Sequence, residues 1–323
     1  MSQPRRPLGT TELEVFPLCL GGNVFGWSID EAASFAVLDA YHAAGGNFID
    51  SANIYSGWVP GNRGGESEAI IGRWLASRRV RDEMVIATKV GMGAGDHEKG
   101  LTRSLIRSGI EGSLTRLGVD RVDLYYAHED DAQTPIESTM AAFDDLYREG
   151  LVDAVGASNY SANRFGAALA ASDASRLVRY SVMQPWYNLV EREHYEGDLE
   201  RRCLSEGVAV LPYFSLARGF LTGKYRPGLP TGSSPRAEGV VESFMNPEGL
   251  GALDVLERVA ERRGATSAQI ALAWLMARPG IVGPIASATS PSQVNEICAA
   301  VYIDLDEDEV ALLDAVAGPT ASS

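Results

Sequence analysis

The sequence predicts an α/β protein built as a (β/α)8 barrel, and three observations support this prediction. Short apolar segments rich in β-branched residues alternate with longer segments whose apolar residues recur at the helical period. The short segments are almost continuously apolar, which is typical of parallel strands buried on both faces. Eight such units also suit a chain of 323 residues, because a barrel of this kind typically takes about 250 residues.

The strands are predicted first, since their ends define where a barrel carries its functional groups. They are Phe16–Leu20, Asn47–Asp50, Met84–Lys89, Val122–Ala127, Val152–Ala157, Val178–Gln184, Val208–Pro212 and Ile281–Ala286. Before the first of them, Leu8–Val15 carries Gly9-Thr10-Thr11 between apolar positions. This pattern predicts a short N-terminal hairpin that covers the bottom of the barrel.

Five of the segments between the strands have clear helical periodicity. They are Ala32–Ala44, Leu105–Leu117, Ile136–Arg148, Ala252–Arg263 and Ala268–Ala277. Residues that favour helix starts precede three of them, at Asp30, Thr102 and Thr134, and Gly118 and Gly264 follow helix ends. No Pro- or Ser-rich linker divides the chain, so we expect residues 1–323 to form one domain.

A doubly wound open sheet is the alternative fold for such an alternation. That fold usually carries GxGxxG after its first strand and an acidic residue that binds a ribose. The turn at Gly21–Gly26 lacks that spacing, and no acidic residue stands at the required distance. We therefore interpret the turn as a loop at the top of the barrel.

Composition narrows the function classes. The net charge of −15 argues against a nucleic-acid partner, because binding to phosphates requires clustered Lys and Arg. Cys19, Cys203 and Cys298 are isolated, which fits a reducing compartment rather than a disulfide framework. The N-terminus lacks the apolar run of a signal peptide, and no apolar stretch approaches the roughly 18 residues of a membrane span. We expect a cytoplasmic protein with no membrane partner; the sequence does not indicate an oligomeric state.

Catalytic groups of a barrel lie at the carboxyl ends of its strands. Asp50 and Lys89 end the second and third predicted strands, His128 follows the fourth, and Tyr55 lies just beyond Asp50. Each residue alone has an ordinary structural explanation, such as a turn cap, a packing residue or an ion pair. Their shared position at one end of the barrel is what favours a catalytic interpretation.

These four residue types suit the reduction of a carbonyl group. Hydride delivery to carbon requires a proton for the oxygen, and a tyrosine with a pKa near 10 is reliably protonated at neutral pH. We expect the neighbouring ammonium of Lys89 to lower the pKa of Tyr55, and Asp50 to keep that ammonium charged and oriented. His128 is placed to donate to the carbonyl oxygen and to set its position. No metal is required.

The chain resembles the aldo-keto reductases along nearly its whole length. The matching segments are Asn47–Tyr55, Gly65–Glu68, Ile86–Lys89, Asp123–His128, Val155–Asn159, Gln184–Leu189 and Gly219–Tyr225. Each motif is weak alone, and their order and spacing make the match specific. The resemblance implies NAD(P)H-dependent carbonyl reduction on a (β/α)8 barrel, with a catalytic tetrad at Asp50, Tyr55, Lys89 and His128.

The resemblance also implies a set of cofactor-binding residues. Gly22 and Asn23 match the loop at the nicotinamide ribose, Asp50 lies beside it, and Tyr213 matches the aromatic residue on which the nicotinamide stacks. Those implied to bind the carboxamide are Ser158, Asn159 and Gln184. Those implied at the pyrophosphate are Phe214, Ser215, Leu216, Ala217, Gly219 and Lys224.

The adenosine end departs from the family pattern. Ile297 stands where the family usually has an amide that contacts adenine, and the cation that often meets a 2′-phosphate is missing near Thr289. Ser287, Thr289 and Gln293 can still hydrogen-bond a phosphate. The family default is NADPH, and NADH or dual use remains an alternative.

The substrate is expected to be a small-molecule carbonyl compound in an aromatic-lined pocket. The predicted wall residues are Phe25, Trp27, Trp58, Tyr126 and Trp186. Two other functions stay open: a dehydrogenase working in the reverse direction on an alcohol or sugar, and a cofactor-binding auxiliary or sensor subunit. A metal-dependent hydrolase is disfavoured, because no second ligating histidine stands at a strand end.

Overall fold

The computed structural model describes residues 4–228 and 237–316. Two hairpin strands come first, β1 (Arg6–Pro7) and β2 (Glu14–Val15), and they pair antiparallel. The strands that follow are β3 (Cys19–Gly21), β4 (Phe48–Asp50), β5 (Val85–Val90), β6 (Val122–Ala127), β7 (Val152–Ser158), β8 (Tyr180–Gln184), β9 (Ala209–Val210) and β10 (Ile285–Ala286). Strands β3 to β9 lie side by side in chain order, all parallel, and β10 pairs with β3.

The sheet closes on itself between β9 and β10. Val210 forms a parallel bridge with Ile281, and the Ile285 N–H donates to the Pro212 carbonyl at 2.8 Å. The predicted barrel and its N-terminal hairpin are therefore confirmed, and the open-sheet alternative does not apply.

Five strands, β3, β4, β8, β9 and β10, are shorter than predicted. Proline and side-chain bonding explain the shortening of β3 and β10. Phe16 donates its N–H to the Asn47 side chain instead of to the backbone of a neighbouring strand, and Pro17 has no N–H to donate. Strand β3 therefore begins only at Cys19. At the other end of the chain, Ile281 makes a single bridge, and Pro284 interrupts the ladder before β10.

The described residues contain eleven α-helices. They are α1 (Glu31–Ala43), α2 (Glu66–Arg78), α3 (Arg103–Leu117), α4 (Ile136–Arg148), α5 (Ala162–Ser175), α6 (Asp198–Ser205), α7 (Ala237–Phe244), α8 (Pro247–Arg263), α9 (Ser267–Met276), α10 (Pro291–Ala299) and α11 (Glu307–Asp314). All five predicted helices are present, and α4 has its predicted bounds. Helix α8 begins at Pro247, earlier than predicted, because the Asn246 side chain caps it through the Gly249 N–H. None of the helices in these residues is long and apolar enough to cross a membrane.

The core has two layers. One fills the space between the strands and the surrounding helices, and the other fills the barrel interior with residues such as Phe48, Leu124 and Val182. Leu8 and Val15 of the hairpin segment are fully buried in the interior cluster. The hairpin therefore closes the bottom of the barrel and leaves the carboxyl end of the strands as its open mouth.

Candidate active site

The polar residues at the mouth continue the inward-facing rows of the strands. Side chains two residues apart in a strand share a face, and Phe48 and Ala87 belong to the barrel interior. Two residues further along the same strands come Asp50 and Lys89. In the same way, five other polar residues stand two positions beyond an inward-facing position of their own strand segment: His128, Ser158, Gln184, Tyr213 and Ser287. The alternation thus brings the residues predicted from strand ends to one mouth.

Lys89 is the centre of the site and is fully buried. Its Nζ donates to Asp50 Oδ2 at 2.5 Å, to the Ser51 carbonyl at 2.7 Å and to the Tyr55 hydroxyl at 2.9 Å. These contacts use all three protons of an ammonium group. A buried ammonium requires such partners, because its desolvation is otherwise too costly.

Asp50 is held on both of its oxygens. Oδ2 accepts from Lys89 and, more distantly at 3.4 Å, from the Tyr55 hydroxyl. Oδ1 accepts from Gln184 Nε2 at 2.9 Å. Gln184 therefore orients the carboxylate that pairs with the lysine.

The pKa of Tyr55 differs from the sequence-based expectation. Burial raises the pKa of Tyr55 well above its usual value, and the neighbouring carboxylate of Asp50 raises it further. The expectation that Lys89 lowers the pKa of Tyr55 is wrong for the net effect. Burial also lowers the pKa of Lys89, while Asp50 opposes that shift. The phenol is therefore protonated throughout the neutral range.

His128 lies across the mouth from Tyr55, with the two ring centroids 6.0 Å apart. Its backbone N–H donates to the Val90 carbonyl at 2.8 Å, and its Nδ1 is buried without a partner among the described residues. Burial, aided by the charge of Lys89, lowers the pKa of His128 well below its usual value. The imidazole is consequently neutral at pH 7.

A second polar group lies beside the tetrad. Asn159 donates to the His128 carbonyl at 2.9 Å and accepts from the Tyr213 hydroxyl at 2.7 Å, while Ser158 Oγ donates to the Gln184 carbonyl at 2.9 Å. Burial and the charge of Glu191 raise the pKa of Tyr213 to about 12. Asn159 also donates to Ser158 Oγ at 3.2 Å, so the four residues expected at a nicotinamide form one connected group.

The loop after β9 has an unusual backbone. Phe214, Ala217 and Arg218 all have positive φ, as does Gly219. Such conformations are costly for residues with a side chain and persist only where the surroundings enforce them. Ser215 stabilises the turn because its buried hydroxyl donates to the Pro212 carbonyl.

The neighbouring loop after β8 holds this backbone in place. Asn188 Nδ2 donates to the Phe214 carbonyl at 3.0 Å and to Glu191 Oε2 at 2.8 Å. Glu191 in turn accepts from the Arg218 guanidinium at 3.4 Å. Asn188 lies in a matched motif, but its role was not predictable from the sequence, because only the fold shows that the two loops touch.

The remaining predicted cofactor residues flank this loop or lie on the opposite side of the mouth. Lys224 is exposed, and Leu216 is half-buried. Ser287 Oγ donates to Asn23 Oδ1 at 2.7 Å, which joins the last strand to the loop that carries Gly22. Thr289 donates both its N–H and its hydroxyl to Gln293 Oε1, at 2.8 and 3.0 Å.

Three of the five predicted pocket residues have exposed surface, Trp27, Trp58 and Trp186. Trp58 packs edge-on against Trp27 and Tyr55, with centroid distances of 5.5 and 6.1 Å. Phe25 and Tyr126 have no exposed surface, so the prediction that they line an open pocket is corrected.

The reason for this correction lies in the strand alternation and the helical layer. Tyr126 stands two residues before His128 and fills the barrel interior below the mouth, whereas Phe25 packs in the layer between strands and helices. Within residues 4–228 and 237–316, no three His, Cys, Asp or Glu side chains are arranged to hold a metal ion.

Comparison with known proteins gives consistent matches over the whole barrel. A sequence profile of the Aldo/keto reductase family matches residues 17–317. The uncharacterized oxidoreductase YrpG of Bacillus subtilis is 33% identical over 321 residues, which cover 97% of this chain and 95% of the relative. A probable voltage-gated potassium channel subunit beta of Arabidopsis thaliana is 34% identical over 308 residues, with 92% and 90% covered. Norsolorinic acid reductase B of Aspergillus parasiticus is 31% identical over 326 residues, with 96% and 83% covered.

Proposed function

The chain belongs to the aldo/keto reductase family, and from this premise we propose that it reduces an aldehyde or ketone to an alcohol with NAD(P)H. The observation that carries the proposal is the buried Lys89 ammonium in contact with both Asp50 and Tyr55 at the mouth of the barrel. The substrate class is a small-molecule carbonyl compound.

Tyr55 is the proton donor in this proposal. When bound, the nicotinamide cofactor would supply a hydride to the carbonyl carbon. The Tyr55 O–H bond breaks as its proton passes to the carbonyl oxygen, which completes the alcohol and leaves a tyrosinate. The Lys89 ammonium, 2.9 Å from that oxygen, stabilises the tyrosinate until solvent returns the proton.

The other two tetrad residues position these groups. Asp50 holds Lys89 as an ammonium, and Gln184 fixes the carboxylate from its other oxygen. His128 is neutral at pH 7 and retains one N–H, so it can donate to the carbonyl oxygen without competing as an acid.

The described residues fit a dinucleotide along one side of the mouth. Tyr213 keeps part of its ring exposed beside Asn159, and the loop that follows contains left-handed residues, a backbone conformation that forms anion-binding nests in proteins. The proposed cofactor-binding residues are Gly22, Asn23, Asp50, Ser158, Asn159, Gln184, Tyr213, Phe214, Ser215, Leu216, Ala217, Gly219, Lys224, Ser287, Thr289 and Gln293.

We propose NADPH as the cofactor, with NADH as the alternative that a titration decides. Family members generally use either form, and residues 287–297 contain no lysine or arginine that would favour a 2′-phosphate by charge. The helix start at Ser290 offers hydrogen bonds alone.

Three tryptophans with exposed surface support aromatic carbonyl substrates. Trp27 and Trp58 meet beside Tyr55, and Trp186 lies across the mouth next to Tyr213, with a centroid distance of 6.3 Å. Flat aromatic walls favour flat substrates through stacking and apolar contact area.

The second candidate function is that of a cofactor-binding auxiliary subunit. It is favoured by relatives named as potassium channel beta subunits, of which the Arabidopsis protein is 34% identical. The reverse reaction, oxidation of an alcohol or sugar, uses the same residues, and the cofactor supply would decide the direction.

The test is hydride transfer to 4-nitrobenzaldehyde from NADPH or NADH deuterated at the transferring position of the nicotinamide. We expect 4-nitrobenzyl alcohol with one deuterium on the carbinol carbon. Tight cofactor binding without turnover of any carbonyl in a broad panel would reject the reductase and favour the auxiliary subunit.

A further inference from the structure

Helix α2 begins with a motif to which the proposed chemistry assigns no task. In Gly65-Glu66-Ser67-Glu68, both Ser67 and Glu68 are fully buried. Buried polar side chains must find partners, since an unsatisfied group costs stability. Their partners show what this helix start does.

The hydrogen bonds of Ser67 have a fixed direction. Ser67 Oγ lies 2.8 Å from the Gly22 carbonyl, which can only accept, so the single hydroxyl proton of Ser67 points there. Ser67 Oγ also lies 2.9 Å from Ser51 Oγ. Ser51 must therefore be the donor of that bond, and the chain runs from Ser51 through Ser67 to Gly22.

The two ends of this chain are groups of the proposed active site. The Ser51 carbonyl is one of the three acceptors of the Lys89 ammonium, at 2.7 Å. Gly22 belongs to the loop proposed to approach the nicotinamide ribose. Gly22 packs so closely here that a Cβ added to it would lie 2.8 Å from Ser67 Oγ.

Glu68 secures the same region from the next position of the helix. Its Oε1 accepts from Thr88 Oγ1 at 2.5 Å, and its Oε2 accepts from Arg116 Nε at 2.7 Å. Thr88 immediately precedes Lys89 in β5, so the start of α2 contacts the strand that carries the lysine as well as the residue that binds its ammonium.

We propose that Ser67 is a positioning residue, whose hydroxyl couples the Lys89 site to the Gly22 loop. It keeps the Ser51 carbonyl aligned with the ammonium and keeps the Gly22 loop against the cofactor side of the mouth. The inference rests on the proposed function, because it concerns the geometry of that same site.

The experiment compares Ser67→Ala, Ser51→Ala and the double variant by single-turnover hydride transfer from NADPH to 4-nitrobenzaldehyde. Each single change should slow transfer by about tenfold, the effect typical of one buried hydrogen bond. The double variant should be little slower than either single variant, because both changes break the same chain. Ser51→Ala keeps the test possible should Ser67→Ala fail to fold.

The matched control is Ser172→Ala. Ser172 is equally buried and donates to the Val178 carbonyl at 2.9 Å, at the opposite end of the barrel. It should lower the melting temperature as Ser67→Ala does and leave hydride transfer unchanged.

Three results would overturn the inference: wild-type hydride transfer in Ser67→Ala, fully additive losses in the double variant, or an equal loss in Ser172→Ala. If the wild-type protein transfers no hydride, the proposed function fails first and this inference fails with it. The two failures are therefore distinguishable, because only an active wild-type enzyme allows the inference to fail while the proposed function holds.

Discussion

At the scale of single residues, Lys89 shows how a charge is kept inside a barrel. Its ammonium lies below the mouth with no exposed surface, and each of its three protons has an acceptor. Removal of one partner from a buried ion pair typically costs about 3–5 kcal/mol, so the arrangement is expensive to disturb. The presence of a buried ammonium is therefore more readily explained by a catalytic role than by a contribution to the stability of the fold.

The carboxylate that pairs with Lys89 also acts on Tyr55. Asp50 raises the pKa of Tyr55, an effect that was not foreseen from the sequence because Asp50 was considered only as the partner of Lys89. Burial is the larger cause, and the depth of a side chain cannot be read from its position after a strand. The residue types of the tetrad were predictable from strand ends, whereas the protonation behaviour required the fold.

His128 provides a prediction about stability and pH. Its pKa is lowered in the folded protein, whereas in the unfolded chain it is near 6.5. The unfolded chain therefore takes up a proton first as the pH falls, so the folded state loses stability from about pH 6.5 toward the lowered pKa. His128→Asn should lose less unfolding free energy than wild type between pH 7 and pH 5, measured by urea denaturation. An equal loss of unfolding free energy between pH 7 and pH 5 in His128→Asn and in wild type would contradict a buried, neutral His128.

At the scale of elements, the loop of residues 213–219 depends on a neighbour for its shape. Its left-handed residues are costly, and we expect them to relax when the Asn188 contact to the Phe214 carbonyl is removed. Ordinary turn rules do not predict this backbone, because Phe214, Ala217 and Arg218 are not residues that favour positive φ. The motif around Asn188 was visible in the sequence, but its contact with this loop was not.

The prediction at this scale concerns Asn188→Ala. The change removes a buried donor to the Phe214 carbonyl, which should lower the unfolding free energy by about 1–3 kcal/mol. It should also weaken NADPH binding, measured by quenching of protein fluorescence, because the loop is a proposed cofactor contact. Asn246→Ala, which removes the cap of α8, should cost about 1 kcal/mol and leave the cofactor Kd unchanged. Equal cofactor affinity in Asn188→Ala and wild type would refute the role of this contact.

The helices show which elements could be predicted from sequence patterns and which could not. The predicted segments have apolar residues at helical spacing, together with a side-chain cap at the start of α1, α3, α8 and α9 or a glycine beyond the end of α4. Helix α2 was not predicted, since it starts after Gly65 in a left-handed conformation without a side-chain cap, and its Ser67 and Glu68 are buried polar residues. Its functional contacts were consequently hidden from the sequence.

At the scale of the whole molecule, the barrel closes through few strand bonds. Strands β9 and β10 have two residues each, and the seam between them consists of the Val210–Ile281 bridge before β10 and the bond from the Ile285 N–H to the Pro212 carbonyl after β9. Arg6 of the hairpin supports this seam, because its guanidinium donates to the carbonyls of Met276, Ile281 and Val282. The predicted hairpin thus covers the bottom and also holds the last segment of the barrel.

Arg6→Met tests this support. The variant keeps the length of the side chain and removes its donors, so the unfolding free energy should fall by about 1.5–3 kcal/mol, as for other hydrogen bonds to charged groups. Arg5→Met removes a bond from an exposed guanidinium to Gly45 and should change stability by less than about 0.5 kcal/mol. Chemical denaturation of the three proteins measures both values, and equal stability of Arg6→Met and wild type would contradict the proposed support.

The central claim is that Tyr55 supplies the proton for carbonyl reduction, and Tyr55→Phe tests it most directly. The measurement is NADPH oxidation with 4-nitrobenzaldehyde at neutral pH, paired with a fluorescence titration of NADPH binding. The variant should bind the cofactor as wild type does and lose about 10²- to 10⁴-fold in turnover, because a general acid is removed. Turnover at the wild-type rate in Tyr55→Phe would contradict the assignment.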